Sequence, residues 1–428
     1  MKKINKITAL FTVLVLIISL VTACSRGNES KEDKTVSTQK ESTSVTAKAD
    51  SVKTTDDKEA TETTKESDKE ATPNPNKNVM RDMTTMDLVK DMGIGWNLGN
   101  TLDAWIPKTK IMDPKYYETS WQSPMITKKM IDGVRDAGFH SVRIPVAWSN
   151  FMAKDYTINP VLMNRVEEVT NYALDDDMYV VINIHYDNGW FKGFFTGDYE
   201  NCMKKYQSIW KQIGSRFAKY GDHLIFESYN EEGVYKEVWD PYGNDTKAKE
   251  KVYDILNKIN QSFVDVIRAA GGNNEKRHLL ISGCATDIKW TCDPLFKMPN
   301  DPEKRCAVSV HYYTPSTFTI LDKDADWGKA QPTWGTKQDV AELRSNMDMM
   351  KTHFIDKGIP VILGEYGVNK KNKTTDMVRL YLTSVCKEAY DRGICPMIWD
   401  IPGQYYDRLT CTFYDPLLPK QLGEVLKK

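Results

Sequence analysis

From residue 80 onward two hydrophobic periods alternate along the chain. Short runs rich in β-branched and aromatic residues recur at 93–97, 141–146, 179–185, 224–229, 278–283, 307–312, 360–365 and 396–400. Runs of this kind, bounded by glycine and polar residues, read as strands. Between them apolar positions fall at the spacing of an amphipathic helix. In 128–137, Met130, Ile131, Val134 and Ala137 share one face, and 162–174, 203–220, 249–270, 338–357 and 376–392 repeat the pattern. Gly138, Gly221, Gly271, Gly272, Gly358 and Gly393 mark the expected helix ends.

Strands that alternate with helices predict parallel strands covered by helices. An open doubly wound sheet is one solution. A (β/α)8 TIM barrel fits better, because the units number about eight and polar residues gather where the strands end, the face on which barrel active sites are built. The glycine-rich stretch 93–100 lacks the Gly-x-Gly-x-x-Gly spacing of a dinucleotide site. The fold class expected is therefore α/β, one barrel over 79–428.

The N-terminal 78 residues carry neither period. Lys2, Lys3 and Lys6 precede an apolar stretch at 7–20, and Val21, Thr22 and Ala23 lead to Cys24. The stretch is shorter than the roughly 20 residues that span a bilayer. It reads as an export signal over 1–23. Its small residues before a cysteine resemble a bacterial lipobox, in which Cys24 would be lipidated. An ordinary signal with a chance cysteine is the alternative. Residues 24–78 are rich in Ser, Thr, Lys, Glu, Asp and Ala and contain no aromatic residue. Such a composition buries too little to offset ordering, so a disordered tether is expected. The address implied is the outer surface of a bacterial cell, with the membrane as a partner, or secretion.

The net charge of −1 offers no basic excess for a nucleic-acid backbone, and none is expected as a partner. Beyond Cys24 the chain has Cys202, Cys284, Cys292, Cys306, Cys386, Cys395 and Cys411. An odd number cannot all pair within one chain. Buried free thiols are the default, and a Cys284–Cys292 bridge stays open. No Cys-x-x-Cys or histidine cluster points to zinc. No cofactor is expected, and the chain is expected to act as a monomer.

The chemistry lies at the strand ends. Arg143, His185, Asn230 with Glu231, His311 with Tyr313, Glu365 and Trp399 end six of the expected strands. Each alone has an ordinary structural reading. Their shared placement is harder to explain by packing. Glu231 and Glu365 end apolar strands, where a carboxylate needs compensation. Glycosidic hydrolysis uses two carboxyl groups, one to protonate the leaving oxygen and one to attack or stabilise the anomeric carbon. The acid needs a raised pKa and the nucleophile a low one. Arg143 and Tyr313 are placed to support an ionised Glu365. Asn230 is placed to hold a substrate hydroxyl, and His185 and His311 to bind hydroxyls or tune the pair. Trp399 would be a floor for the sugar. Trp105, Trp121, Trp148, Trp190, Trp239, Trp290, Trp327 and Trp334 follow strands. Flat rings suit pyranose faces, and about three or four are expected to touch substrate.

At these residues the chain resembles a glycoside hydrolase of family 5, the group of retaining cellulases, mannanases and related barrel enzymes. The matching runs are Gly-Trp-Asn-Leu-Gly-Asn-Thr-Leu-Asp-Ala at 95–104, Val-Arg-Ile-Pro-Val at 142–146 and Asn-Ile-His at 183–185. They continue with Phe-Glu-Ser-Tyr-Asn-Glu at 226–231, Val-His-Tyr-Tyr-Thr-Pro at 310–315, Ile-Leu-Gly-Glu-Tyr-Gly at 362–367 and Ile-Trp-Asp at 398–400. The resemblance implies Glu231 as acid/base and Glu365 as nucleophile, with Arg143, His185, Asn230, His311, Tyr313 and Trp399 in support. It looks most like the bacterial endoglucanase and xyloglucanase branch. The implied substrate is a β-1,4-glucan such as cellulose, xyloglucan or mixed-linkage glucan. A mannanase of the same family, or a surface lipoprotein that binds glycan without turnover, are the alternatives. Two positions depart from the branch. Glu232 stands where many members have proline, and Tyr186 where a second histidine is common. Both bear on substrate preference and pH optimum. Glu232 would raise the pKa of Glu231 if it points toward it.

Overall fold

The computed structural model describes residues 74–106 and 111–427. The expected signal, Cys24 and all but the last five residues of the expected tether lie outside them. Eight parallel strands close into a barrel in chain order. They are β1 (Gly95–Leu98), β2 (Ser141–Ile144), β3 (Tyr179–Asn183), β4 (Leu224–Glu227), β5 (Leu279–Asp287), β6 (Cys306–Tyr312), β7 (Val361–Tyr366) and β8 (Cys395–Asp400). The expected (β/α)8 architecture is the one observed. Helices α1 (Thr85–Asp91), α2 (Lys128–Asp136), α3 (Pro160–Leu174), α4 (Tyr199–Arg216), α5 (Thr246–Ala269), α6 (Ile288–Thr291), α7 (Lys337–His353), α8 (Thr375–Tyr390) and α9 (Leu417–Val425) accompany them. Helix starts follow side-chain caps: Thr127 accepts from Met130 N before α2, and Thr336 and Asp339 form a capping box at α7.

The period of two in each strand sorts its side chains into an outer and an inner set. Val142, Ile144, Val180, Ile182, Leu224, Phe226 and Val308 face outward into the large core shared with the helices. Inside, Val181, Ile225, Leu280, Ala307, Ile362 and Met397 make an apolar lower layer. Helix α1 closes this layer from below with Leu88, Val89 and Met92, each at most 2 % exposed. Burying side chains of this size stabilises the fold by about 1.5–3 kcal/mol each.

The chain enters along the underside. Asn74 Nδ2 donates to Leu174 O at 3.0 Å, and Lys77 pairs with Asp175 at 3.0 Å. Gly221 N donates to Lys77 O at 2.7 Å, and Asp222 N to Val79 O at 3.0 Å. Residues 74–78 thus already pack on the barrel. Gly221 was expected as a helix end, and the structure shows a further requirement. A Cβ there would lie 2.0 Å from Val79 O, so the crossing segment leaves room only for glycine.

Two strands break the regular register. β7 pairs Leu363 with Val310 but Glu365 with His311, so Gly364 is an extra residue in β7. β5 departs between Ser282 and Asp287, where Ala285 and Thr286 take φ of 48° and 49°. The seven cysteines of the barrel are free thiols, so the open Cys284–Cys292 bridge is not formed.

Candidate active site

Above the apolar layer the inner positions turn polar. Asn97, Arg143, Asn183, Glu227 and Ser309 are all 0 % exposed. Arg143 organises them. Its Nε donates to Glu227 Oε2 at 2.6 Å, its Nη1 to Glu365 Oε1 at 2.7 Å and Asn97 Oδ1 at 3.1 Å, and its Nη2 to Asn230 Oδ1 at 2.9 Å. Glu227 also accepts from Ser309 Oγ at 2.6 Å and Asn183 Nδ2 at 3.0 Å. A buried charge set of this kind is tolerable only when its members satisfy one another. Asn97, Asn183, Glu227 and Ser309 were not singled out from the sequence. The available signal was an inward place on the strands, with Asn183 and Ser309 each two residues before a strand-end histidine.

The six strand ends converge as expected. One carboxylate oxygen each from Glu231 and Glu365 and a ring nitrogen of His311 lie within 4.8 Å of one another. His311 Nδ1 is 2.8 Å from Glu231 Oε1 and 3.7 Å from Glu365 Oε2. Tyr313 donates its hydroxyl to Glu365 Oε2 at 2.9 Å. The Glu231 side chain keeps 19 % of its surface open, against 6 % for Glu365, so the former is the more accessible. His185 and Trp399 stack with ring planes 8° apart and centroids at 5.5 Å.

Burial dominates the electrostatics. It pushes Glu231 up to about 7, against the pull of Arg143 and with the push of Glu227. It also raises Glu365, whose shift His311 and Arg143 oppose. Arg143 therefore moderates the Glu365 carboxyl without bringing it below the ordinary range, which differs from the expected low value. His311 is pushed down to about 4 by burial, and His185 is held well below its ordinary value by burial and then by Arg143. Both imidazoles are neutral at neutral pH. Glu231, His311 and Glu365 have the spacing of a cation site, but Arg143 already places positive charge 2.7 Å from Glu365. The donor set fits proton transfer beside a guanidinium better than it fits a metal ion.

The two departures lie together. Burial pushes Glu232 up to about 7, with Tyr235 opposing and Glu231 adding to the shift. Glu232 accepts from the Tyr235 hydroxyl. Tyr186 is near enough for Glu232 to act on it. Asp187 is a structural anchor, accepting from Ser149 N at 2.8 Å, Ser149 Oγ at 2.9 Å and Trp190 Nε1 at 3.1 Å. Of the eight tryptophans that follow strands, Trp148, Trp239 and Trp334 are at most 4 % exposed and serve packing. Trp105, Trp121, Trp190, Trp290 and Trp327 keep part of their surface open.

The model of the cellulase family, glycosyl hydrolase family 5, matches residues 106–404. Endoglucanase B of Clostridium cellulovorans is 38 % identical over 326 residues, covering 76 % of this chain and 70 % of that protein. A broad specificity endoglucanase of family 5 from Ruminococcus champanellensis, solved with bound cellotriose, is similar. It has a TM-score of 0.71 at 33 % identity, covering 80 % of this chain and 99 % of that one. A family 5 lichenase mutant from a Caldicellulosiruptor species, solved with cellotetraose, has a TM-score of 0.74 at 33 % identity. It covers 81 % of this chain and 96 % of that one.

Proposed function

The chain belongs to glycosyl hydrolase family 5, and on that premise we propose that it is an endo-β-1,4-glucanase acting by retaining double displacement. The observation that carries this is the pair Glu231 and Glu365, with oxygens within 4.8 Å. Retaining enzymes hold their carboxyl groups about 5–5.5 Å apart, whereas inverting ones leave about 6.5–9.5 Å for a water. In the first step a Glu365 oxygen attacks the anomeric carbon while Glu231 gives its proton to the glycosidic oxygen. The carbon–oxygen bond to the leaving sugar breaks and a glycosyl ester forms. In the second step Glu231, now ionised, takes a proton from water, whose oxygen attacks the anomeric carbon and frees Glu365. Arg143 and Tyr313 hold the attacking carboxylate in place. The Asn230 carbonyl is turned to Arg143, which leaves its amide N–H groups for a substrate hydroxyl. The stacked Trp399 and His185 provide the floor for the reacting sugar.

Mixed-linkage β-glucan and xyloglucan are the substrates to try first, given the endoglucanase and lichenase relatives. Reducing-sugar release by wild type and its near-complete loss in Glu365→Gln are expected. Proton NMR of the first product should show the β-anomer. An initial α-anomer would overturn retention, and equal activity in Glu365→Gln would overturn the carboxylate assignment. We also propose that the protein is exported and held to the bacterial membrane by lipid on Cys24, because small residues before that cysteine follow a basic and apolar leader. The mature N-terminus decides this.

A further inference from the structure

Trp399, the proposed floor for the reacting sugar, borders a seam to which the double displacement assigns no task. β1 and β8 pair with Asn97 opposite Trp399 and Leu98 opposite Asp400. The pairing runs one residue further, because Gly99 N donates to Asp400 O at 3.1 Å. Gly99 is also where the indole comes to rest. A Cβ there would lie 2.8 Å from Trp399 Cζ2, 2.9 Å from Cη2 and 2.7 Å from Asp400 O. The indole edge therefore sits directly on the main chain of residue 99, which has room only for glycine. The seam is held by a side chain from beyond the barrel strands. After β8 the chain forms a two-stranded hairpin, β9 (Tyr406–Asp407) and β10 (Thr412–Phe413). Arg408, between its strands, is 4 % exposed. Its Nη2 donates to Gly99 O at 2.9 Å and to Asp400 O at 3.1 Å, and its Nη1 to Ser123 Oγ at 3.0 Å. The guanidinium also lies 5.5 Å from the centre of the Trp96 ring. Its charge faces two buried carboxyl groups, Asp103 and Asp400, yet among the described residues its hydrogen bonds go to two main-chain carbonyls and a hydroxyl. Burying a cation is costly, and here its donors grip the ends of two neighbouring strands.

We infer that Arg408 is a positioning residue for the sugar floor: by joining the carbonyls of Gly99 and Asp400 it fixes the main chain on which the Trp399 indole rests, and so sets the place of that ring under the reacting sugar. The inference rests on reading Trp399 as the floor. His185 fixes the tilt of the indole through the stacked rings, and Gly99 fixes how far its edge can sink. Without the guanidinium the two carbonyls lose their shared donor, the seam relaxes and the ring shifts. Contact with the pyranose, and the placement of its anomeric carbon against Glu365, both depend on where that ring sits.

The test uses the full chain as wild type, Arg408→Met, Arg408→Lys and Gly99→Ala, each also combined with Trp399→Ala. Arg408→Lys keeps the charge near Asp103 and Asp400 but loses the planar fork, and it stands in if Arg408→Met does not fold. Two quantities are read. One is kcat/KM on an activated aryl β-cellobioside. The other is fluorine NMR of protein labelled with fluorotryptophan, with the Trp399 and Trp96 signals assigned by their absence in Trp399→Phe and Trp96→Phe. Each single variant is expected to lower kcat/KM by about tenfold and to shift the Trp399 signal. In the Trp399→Ala background the same changes are expected to lower kcat/KM by less than about twofold, as befits residues that act through one another. An Arg408 that served stability alone would lower the melting temperature and shift the signal of Trp96, which it touches, with Trp399 unmoved. A Trp399 signal unchanged in the folded Arg408 variants, or a loss of kcat/KM of equal size with and without the indole, overturns the inference. Failure of wild type to cleave any β-glucan or aryl glycoside would instead remove the functional reading, and the fluorine signal of Trp399 would still decide whether Arg408 holds that ring.

Discussion

A guanidinium carries five N–H donors in one plane, and Arg143 directs four hydrogen bonds from that plane into the polar layer of the barrel. Two of its acceptors are carboxylates on different strands, Glu227 on β4 and Glu365 on β7. The residue therefore holds the proposed nucleophile in position and ties β4 to β7 at once. Taking away one member of such a set leaves buried charge uncompensated, which costs about 3–5 kcal/mol. Arg143→Met is expected to lower stability to urea by that amount and to abolish turnover. Arg143→Lys keeps the charge without the fork and should fall between. Stability of Arg143→Met within about 1 kcal/mol of wild type would show that Glu227 finds other support.

The strand that carries Glu365 shows why element geometry matters as much as residue identity. In β7, Val361 and Leu363 face the helices and Ile362 faces the interior. Continued alternation would send Glu365 outward with Leu363. The extra residue Gly364 resets the period, and Glu365 turns inward opposite His311. A Cβ on Gly364 would sit 3.0 Å from Ser309 Oγ and 3.3 Å from His311 Nε2. Gly364→Ala is thus expected to push on both neighbours of the carboxylates. Activity should drop by about tenfold or more, since small displacements of catalytic groups are costly, while circular dichroism stays native. Full activity in this variant would mean that the bulge is tolerant. This register shift also marks the limit of what the chain reveals before folding. The eight strands and six long helices were legible, because their periods and glycine stops are local properties. Glu231, Glu365 and the groups that bond them were legible as strand-end residues. The reset in β7 was not, because alternation alone points Glu365 the wrong way. Glu227 and Asn183 were passed over because only a closed barrel brings them beneath Arg143. Which of the eight tryptophans pack was not legible, because an indole suits a buried wall, as at Trp148, Trp239 and Trp334, as well as a sugar face.

At the scale of the whole chain, the barrel and its N-terminal segment have opposite ends to serve. The carboxylate pair lies at the C-terminal ends of the strands, whereas residues 74–81 run along the loops that precede β3 and β4, bonded to Leu174, Asp175, Gly221 and Asp222. The proposed lipid site is tested by mass spectrometry of the mature protein from a membrane fraction. A diacylated Cys24 is expected at its start, and an unmodified residue elsewhere would refute the anchor. The entry route has its own meaning for use of the protein. A body gripped through its floor can be drawn against a bead, a wall or a bilayer without covering its own mouth. Attached through residue 74, the barrel keeps its carboxylate pair at the end away from the attachment, and a stiff polysaccharide strand could reach that pair without having to pass between enzyme and support.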